Sequence, residues 1–91
     1  LRCQIAHGVD PNDAISRLKA RVSQIANIEK KPEPIIEILE FNASGTLLLV
    51  KPFCHNSHHG RVLFDTNKAI QEVCSAASYP VPATHQASHQ A

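Results

Sequence analysis

Residues 35–53 read Ile-Ile-Glu-Ile-Leu-Glu-Phe, then Asn-Ala-Ser-Gly, then Thr-Leu-Leu-Leu-Val-Lys-Pro-Phe. Two β-rich apolar runs separated by four turn-forming residues are the signature of a hairpin. The spacing predicts one strand over 35–41, a turn at Asn42-Ala43-Ser44-Gly45, and an antiparallel neighbour over 46–53. Neither run alternates cleanly. Leu47, Leu48, Leu49 and Val50 are consecutive, and Ile35-Ile36 and Ile38-Leu39 are apolar pairs on either side of Glu37. Both faces of this hairpin therefore carry apolar side chains, unless irregular twist tucks the extra leucines into a single core.

Working back from the hairpin, Glu29-Lys30-Lys31-Pro32-Glu33-Pro34 is a helix terminator, because each proline lacks an N–H and pushes its predecessor out of helical geometry. The helix it ends opens at Asp10-Pro11-Asn12-Asp13, with Asp10 as cap, Pro11 in the first turn and Asp13 at the positive end. Ile15, Leu18, Val22 and Ile25 make one apolar stripe, with Arg17, Arg21 and Gln24 opposite. Before it, Leu1 to His7 alternates as a half-buried strand. After the hairpin comes a polar break at residues 55–60, then a helix over roughly 57–77 with Val62, Thr66, Ile70, Val73 and Ala77 on its stripe. Gly60 falls in the first turn and weakens it. Tyr79-Pro80-Val81-Pro82 closes the domain, with room for a short terminal strand, and residues 83–91 read as an extended or disordered tail.

The order strand, helix, strand, strand, helix is the α+β, split βαβ arrangement called ferredoxin-like, in which two helices cover one face of an antiparallel sheet. Residues 1–82 make that one domain. Helices cover a single face, so apolar residues on the other would need a further domain or subunit.

Composition narrows the function classes. Nine Lys+Arg against eight Asp+Glu leave a net charge of +1, which excludes a basic nucleic-acid footprint. The apolar run from Leu47 to Val50 is too short to cross a bilayer. Three cysteines without close spacing, Cys3, Cys54 and Cys74, point to a reducing compartment rather than a disulfide framework. The chain starts at Leu1 and contains no methionine, so it is expected to be a piece of a longer protein.

Several features in register resemble the C-terminal cytoplasmic domain of small-conductance mechanosensitive channels. They are Cys3-Gln4-Ile5-Ala6-His7 with Asp10 and Ala14, Pro34 through Phe41, Ser44 through Phe53, Val62-Leu63-Phe64-Asp65 through Ile70, and Tyr79-Pro80-Val81-Pro82. What the resemblance implies is a homo-oligomeric, usually heptameric, inner-membrane ion channel answering osmotic stress. This domain would form the lower wall of its cytoplasmic cage. A preceding domain of the same chain and the transmembrane helices would lie before Leu1, and would be its only link to the membrane. Past Pro82, where the family continues as a barrel strand, Ala83-Thr84-His85-Gln86 stands instead.

For chemistry, Cys54, His55, His58 and His59 are zinc-type donors, but their spacing is not that of a finger. Adjacent helical residues such as His58 and His59 point about 100° apart. His85 and His89 have metal-compatible spacing, but only if helical. Cys3 and Cys74 fall on core faces. Cys54 with His59 lacks an orienting third group. Glu37 and Glu40 read as edge charges or partners of Lys51, and Phe41 and Phe53 lack the aromatic repeat of an RNA platform. No residue is assigned a catalytic, cofactor-binding or metal role, no cofactor is called for, and the chain is not read as an enzyme or a nucleic-acid binder. The alternative function is a small regulatory module that binds a ligand or a metal.

Overall fold

The computed structural model describes residues 1–81. Pro82, the tail at 83–91 and the His85/His89 pair lie outside the described residues, as does the proposed boundary between domain and tail. The elements are β1 (Arg2–Ala6), α1 (Pro11–Val22), β2 (Ile35–Asn42), β3 (Gly45–Lys51), a short 3-10 turn (Asn56–His58) and α2 (His59–Ala76). The chain is α+β with β-α-β-β-α order. No fourth strand forms among the described residues.

The sheet runs β1-β3-β2, with β3 in the middle and antiparallel to both neighbours. β1 and β2 are thereby parallel, joined across the sheet by α1, and β3 is inserted between them: the split βαβ unit. The hairpin turn is held by Asn42, whose Oδ1 accepts from the backbone N–H groups of Ser44 (3.0 Å) and Gly45 (3.1 Å). Directly paired residues share a face, so the register sorts the side chains. Cys3, Ile5, Ile36, Leu48 and Val50 face the helices and meet Ala14, Leu18 and Val22 of α1 and Ala69 and Val73 of α2 in one core. Both helices lie on that face.

Helix α1 begins as its sequence dictates. Asp10 Oδ1 accepts from the Asn12 N–H at 2.9 Å, and Pro11 occupies the first helical position. It ends sooner than the stripe predicts. The N–H of Ile25 bonds to the Val22 carbonyl, three residues back, and Asn27 turns left-handed at φ 68°. Ile25 is still buried. A spacing of three serves a tight terminal turn as well as a helix, so the apolar stripe outlasts the helix. The other predicted strand overshoots similarly: β3 stops at Lys51, where Pro52 removes a ladder donor. The chain then touches the α1–β2 loop through the Glu29 N–H to the Phe53 carbonyl (2.7 Å) and an isolated Ile28–Cys54 bridge.

Apolar side chains stand on both faces of the hairpin. On the helix-free face, β3 presents Leu47 and Leu49, each half-buried, framed by Arg2, Gln4, Glu37, Glu40 and Lys51. Ile35 of β2, paired with Lys51, adds a further half-buried apolar side chain to that face. The pair Ile38-Leu39 lies at a β-bulge, since the β2–β3 register shifts between Ile38 and Glu40.

Candidate functional site

Two places stand out on the surface, apart from the single side chain of Phe64 on α2, exposed by 71%. The first is the outer edge of β2. Among the described residues β2 has a neighbour, β3, on one side only and so keeps a row of unpaired backbone groups, and it also carries Ile38, Leu39 and Phe41, exposed by 41%, 44% and 72%. Past the bulge, Phe41 pairs with Thr46 and so belongs to the helix side. Its exposure means the helices do not reach that corner.

The second is a groove of about 240 Å³ along the opposite edge, between β1 and the end of α2. Gln4, Ile5, Gln71, Cys74, Tyr79 and Val81 are among its lining residues. Its closing wall exists because α2 stops at Ala76 with Ala77 as its cap, Ser78 turns left-handed at φ 59°, and the chain doubles back. The Tyr79 hydroxyl then donates to Asp13 Oδ2 at 2.5 Å in the first turn of α1, while Arg17 holds the same oxygen at 2.9 Å. Burial first, and then the hydrogen bond and charge of Asp13, push the Tyr79 phenol up to about 12. In return the hydrogen bonds from Tyr79 and Arg17 hold the Asp13 carboxyl below its ordinary range. The groove is mostly apolar and smaller than the ~300–1,000 Å³ common for drug-sized ligands.

The residues weighed from sequence are mostly not brought together. Among the described residues, no group of three or more His, Cys, Asp or Glu is placed to hold a metal ion. His55 instead caps the 3-10 turn, its Nδ1 accepting from the Ser57 N–H at 3.2 Å, and its ring meets that of His58 edge-on at 6.4 Å between centroids. Lys51 reaches neither Glu37 nor Glu40. Its Nζ lies 5.5 Å from the centre of the Phe53 ring, a cation–π contact, and the ion pairs among the described residues are Asp13–Arg17, Arg21–Glu72 and Arg61–Asp65. Cys3 is buried as expected, with its thiol pushed up by burial and then by the facing Cys74. Cys74 is only partly buried, since it also lines the groove. Reasoning from sequence missed Tyr79 as the closing residue. The available signal was a lone aromatic directly after a helix end and before Pro80.

No helix among the described residues is long and apolar enough to cross a membrane. No family model matches the chain, and no curated protein matches it either.

Proposed function

We propose that this domain is a structural wall of a homo-oligomeric assembly, namely the cytoplasmic cage of an ion channel of the small-conductance mechanosensitive kind. The observation that carries the proposal is the open edge of β2, where Ile38, Leu39 and Phe41 stand in solvent beside unpaired strand groups. A lone domain gains nothing from that arrangement, whereas a neighbour laid against it would bury the apolar side chains and complete the backbone hydrogen bonds. Leu47 and Leu49 on the helix-free face offer a narrower second contact, fit for a preceding domain of the same chain. The channel identity rests on the resemblance of the sequence motifs, and the split βαβ architecture agrees with it.

The test uses the full-length protein from which this chain comes. Leu39→Glu with Phe41→Lys is expected to weaken the oligomer in native mass spectrometry and to alter tension-gated currents in patched membranes. An intact oligomer with unchanged currents would remove the proposal.

A second reading, a small regulatory binding module, is favoured by the groove beside Cys74 and Tyr79 rather than by the sheet face. Calorimetry of the domain against cytosolic metabolites would detect it, and a flat response across the panel would dismiss it.

A further inference from the structure

The two outer edges of the sheet match each other. Among the described residues β1 and β2 each have a neighbour on one side only, and both run antiparallel to β3, so they are parallel to one another. A second copy laid beside the first in the same orientation therefore brings its β1 edge against the β2 edge as a parallel strand. The register on β3 fixes what then meets. Arg2 and Glu37 both pair with Leu49, on the helix-free face, whereas Ile5 and Phe41 both pair with Thr46, on the helix side. With the copies unstaggered, Glu37 of one falls beside Arg2 of the next, opposite in charge, and Phe41 falls beside Ile5, which lines the groove. The bulge in β2 makes both matches possible at one register. In a regular strand Glu37 and Phe41, an even number of residues apart, would share a face; the shift between Ile38 and Glu40 moves Phe41 to the groove's side. All the partners are free to meet. Arg2 and Glu37 are exposed and take part in none of the ion pairs among the described residues, and Phe41 is exposed by 72%.

We infer that the groove beside β1 receives the β2 edge of a second copy of this chain, head to tail, with Phe41 seated in the groove and Glu37 paired to Arg2. The rival arrangement is a two-fold pairing of β2 with β2. It sets Glu37 and Glu40 of both copies along one face, where like charges on neighbouring strands repel, and it leaves the groove without an occupant. The head-to-tail contact instead uses both edges of every copy, one giving and one receiving, so copies build a ring where the rotation closes. This inference rests on the assembly reading above and deepens it by naming the surface of the neighbour that takes β2.

The experiment uses the full-length protein from which this chain comes. With the photoreactive p-benzoylphenylalanine in place of Phe41, irradiation is expected to link that position to residues 71–81 of another copy, located by peptide mapping. Glu37→Arg and Arg2→Glu, each alone, are expected to raise the dissociated fraction in native mass spectrometry by roughly three- to tenfold, and the two together should return it to near the parent value. Such rescue requires residues 2 and 37 to meet across the contact, which a two-fold β2 pairing does not provide. Links to residues 35–42 of another copy, links to a different protein, no link at all, single variants that leave the oligomer unmoved, or a double variant no better than the single ones would each overturn the inference. The two readings fail separately. If Leu39→Glu with Phe41→Lys weakens the oligomer while the links fall on the neighbour's β2, the assembly reading stands and the head-to-tail contact is refuted.

Discussion

Replacing Gly45 by alanine should be the most damaging of the three glycine substitutions available in this chain. Gly45 opens β3 at φ +138°, buried between its two partners, with Ala6 of β1 on one side and Asn42 of β2 on the other. A Cβ placed there would press on the Ile5 carbonyl oxygen, the Ala6 carbonyl carbon and the His7 nitrogen. All three are backbone atoms, at the end of β1 and the residue that follows it, so no side chain can swing aside. A side chain forced into such a conformation costs about 1–3 kcal/mol, and overpacking adds about as much again. The loss is therefore ~3–5 kcal/mol out of the roughly 5–15 kcal/mol typical of a whole domain. The other glycines calibrate the reasoning. Gly8 also has positive φ, +90°, but meets nothing within 4 Å, so Gly8→Ala isolates the conformational part at about 1–2 kcal/mol. Gly60 lies in the first turn of α2 with open space around it, so Gly60→Ala should gain about 0.5 kcal/mol of helix stability. Urea unfolding followed by far-ultraviolet circular dichroism, with the slope checked for constancy, measures all three. A Gly45→Ala chain within about 1 kcal/mol of its parent, or less destabilised than Gly8→Ala, would refute the argument.

Three further outcomes follow from the same geometry. Thr66 is fully buried on α2 and its hydroxyl has no hydrogen-bond partner among the described residues, so Thr66→Val should stabilise the domain by about 1 kcal/mol and raise its thermal midpoint by roughly 4–8 °C; a lower midpoint contradicts this. Tyr79 is the single tyrosine in a chain without tryptophan, so near-ultraviolet absorbance titrates it alone. Its midpoint is expected near 12, and Asp13→Asn should lower it by removing a negative charge and the carboxylate acceptor. The drop should be partial, since burial is the larger cause, and an unmoved midpoint would mean that the Tyr79–Asp13 bond does not persist in solution. At high concentration the domain should associate weakly through the β2 edge, and Leu39→Glu with Phe41→Lys should abolish this in light scattering. A parent that stays monomeric throughout would show that copies of this domain do not meet there.

Most of the architecture was legible because it rests on strong local signals. The Asn42–Gly45 turn, the Asp10-Pro11 cap and the paired prolines before β2 each act within a few residues, and each appears where physical chemistry places it. What failed was the reading of apolar neighbours. Ile38-Leu39 reads as an apolar pair on opposite faces of a regular strand, yet it sits at a bulge on an edge strand, and both side chains are exposed. Ile25 looked helical because one tight turn and one helical turn place an apolar residue nearly alike. The groove depends on long-range placement, since the Tyr79–Asp13 bond that closes it joins residues whose local sequence carries no mark of the partner.

The central position of β3 has a consequence for the order of folding. Its pairing with β2 closes across a turn of a few residues, but its pairing with β1 joins positions such as Ile5 and Thr46, which all of α1 and β2 separate along the chain. Loop closure over that distance costs chain entropy that no local contact repays. The hairpin can therefore form early, while β1 docks late, after α1 has brought the chain back across the sheet. During that interval β3 shows an unsatisfied edge lined by Leu47, Leu48 and Leu49, so the vulnerable species on the folding path is the one still waiting for its first strand.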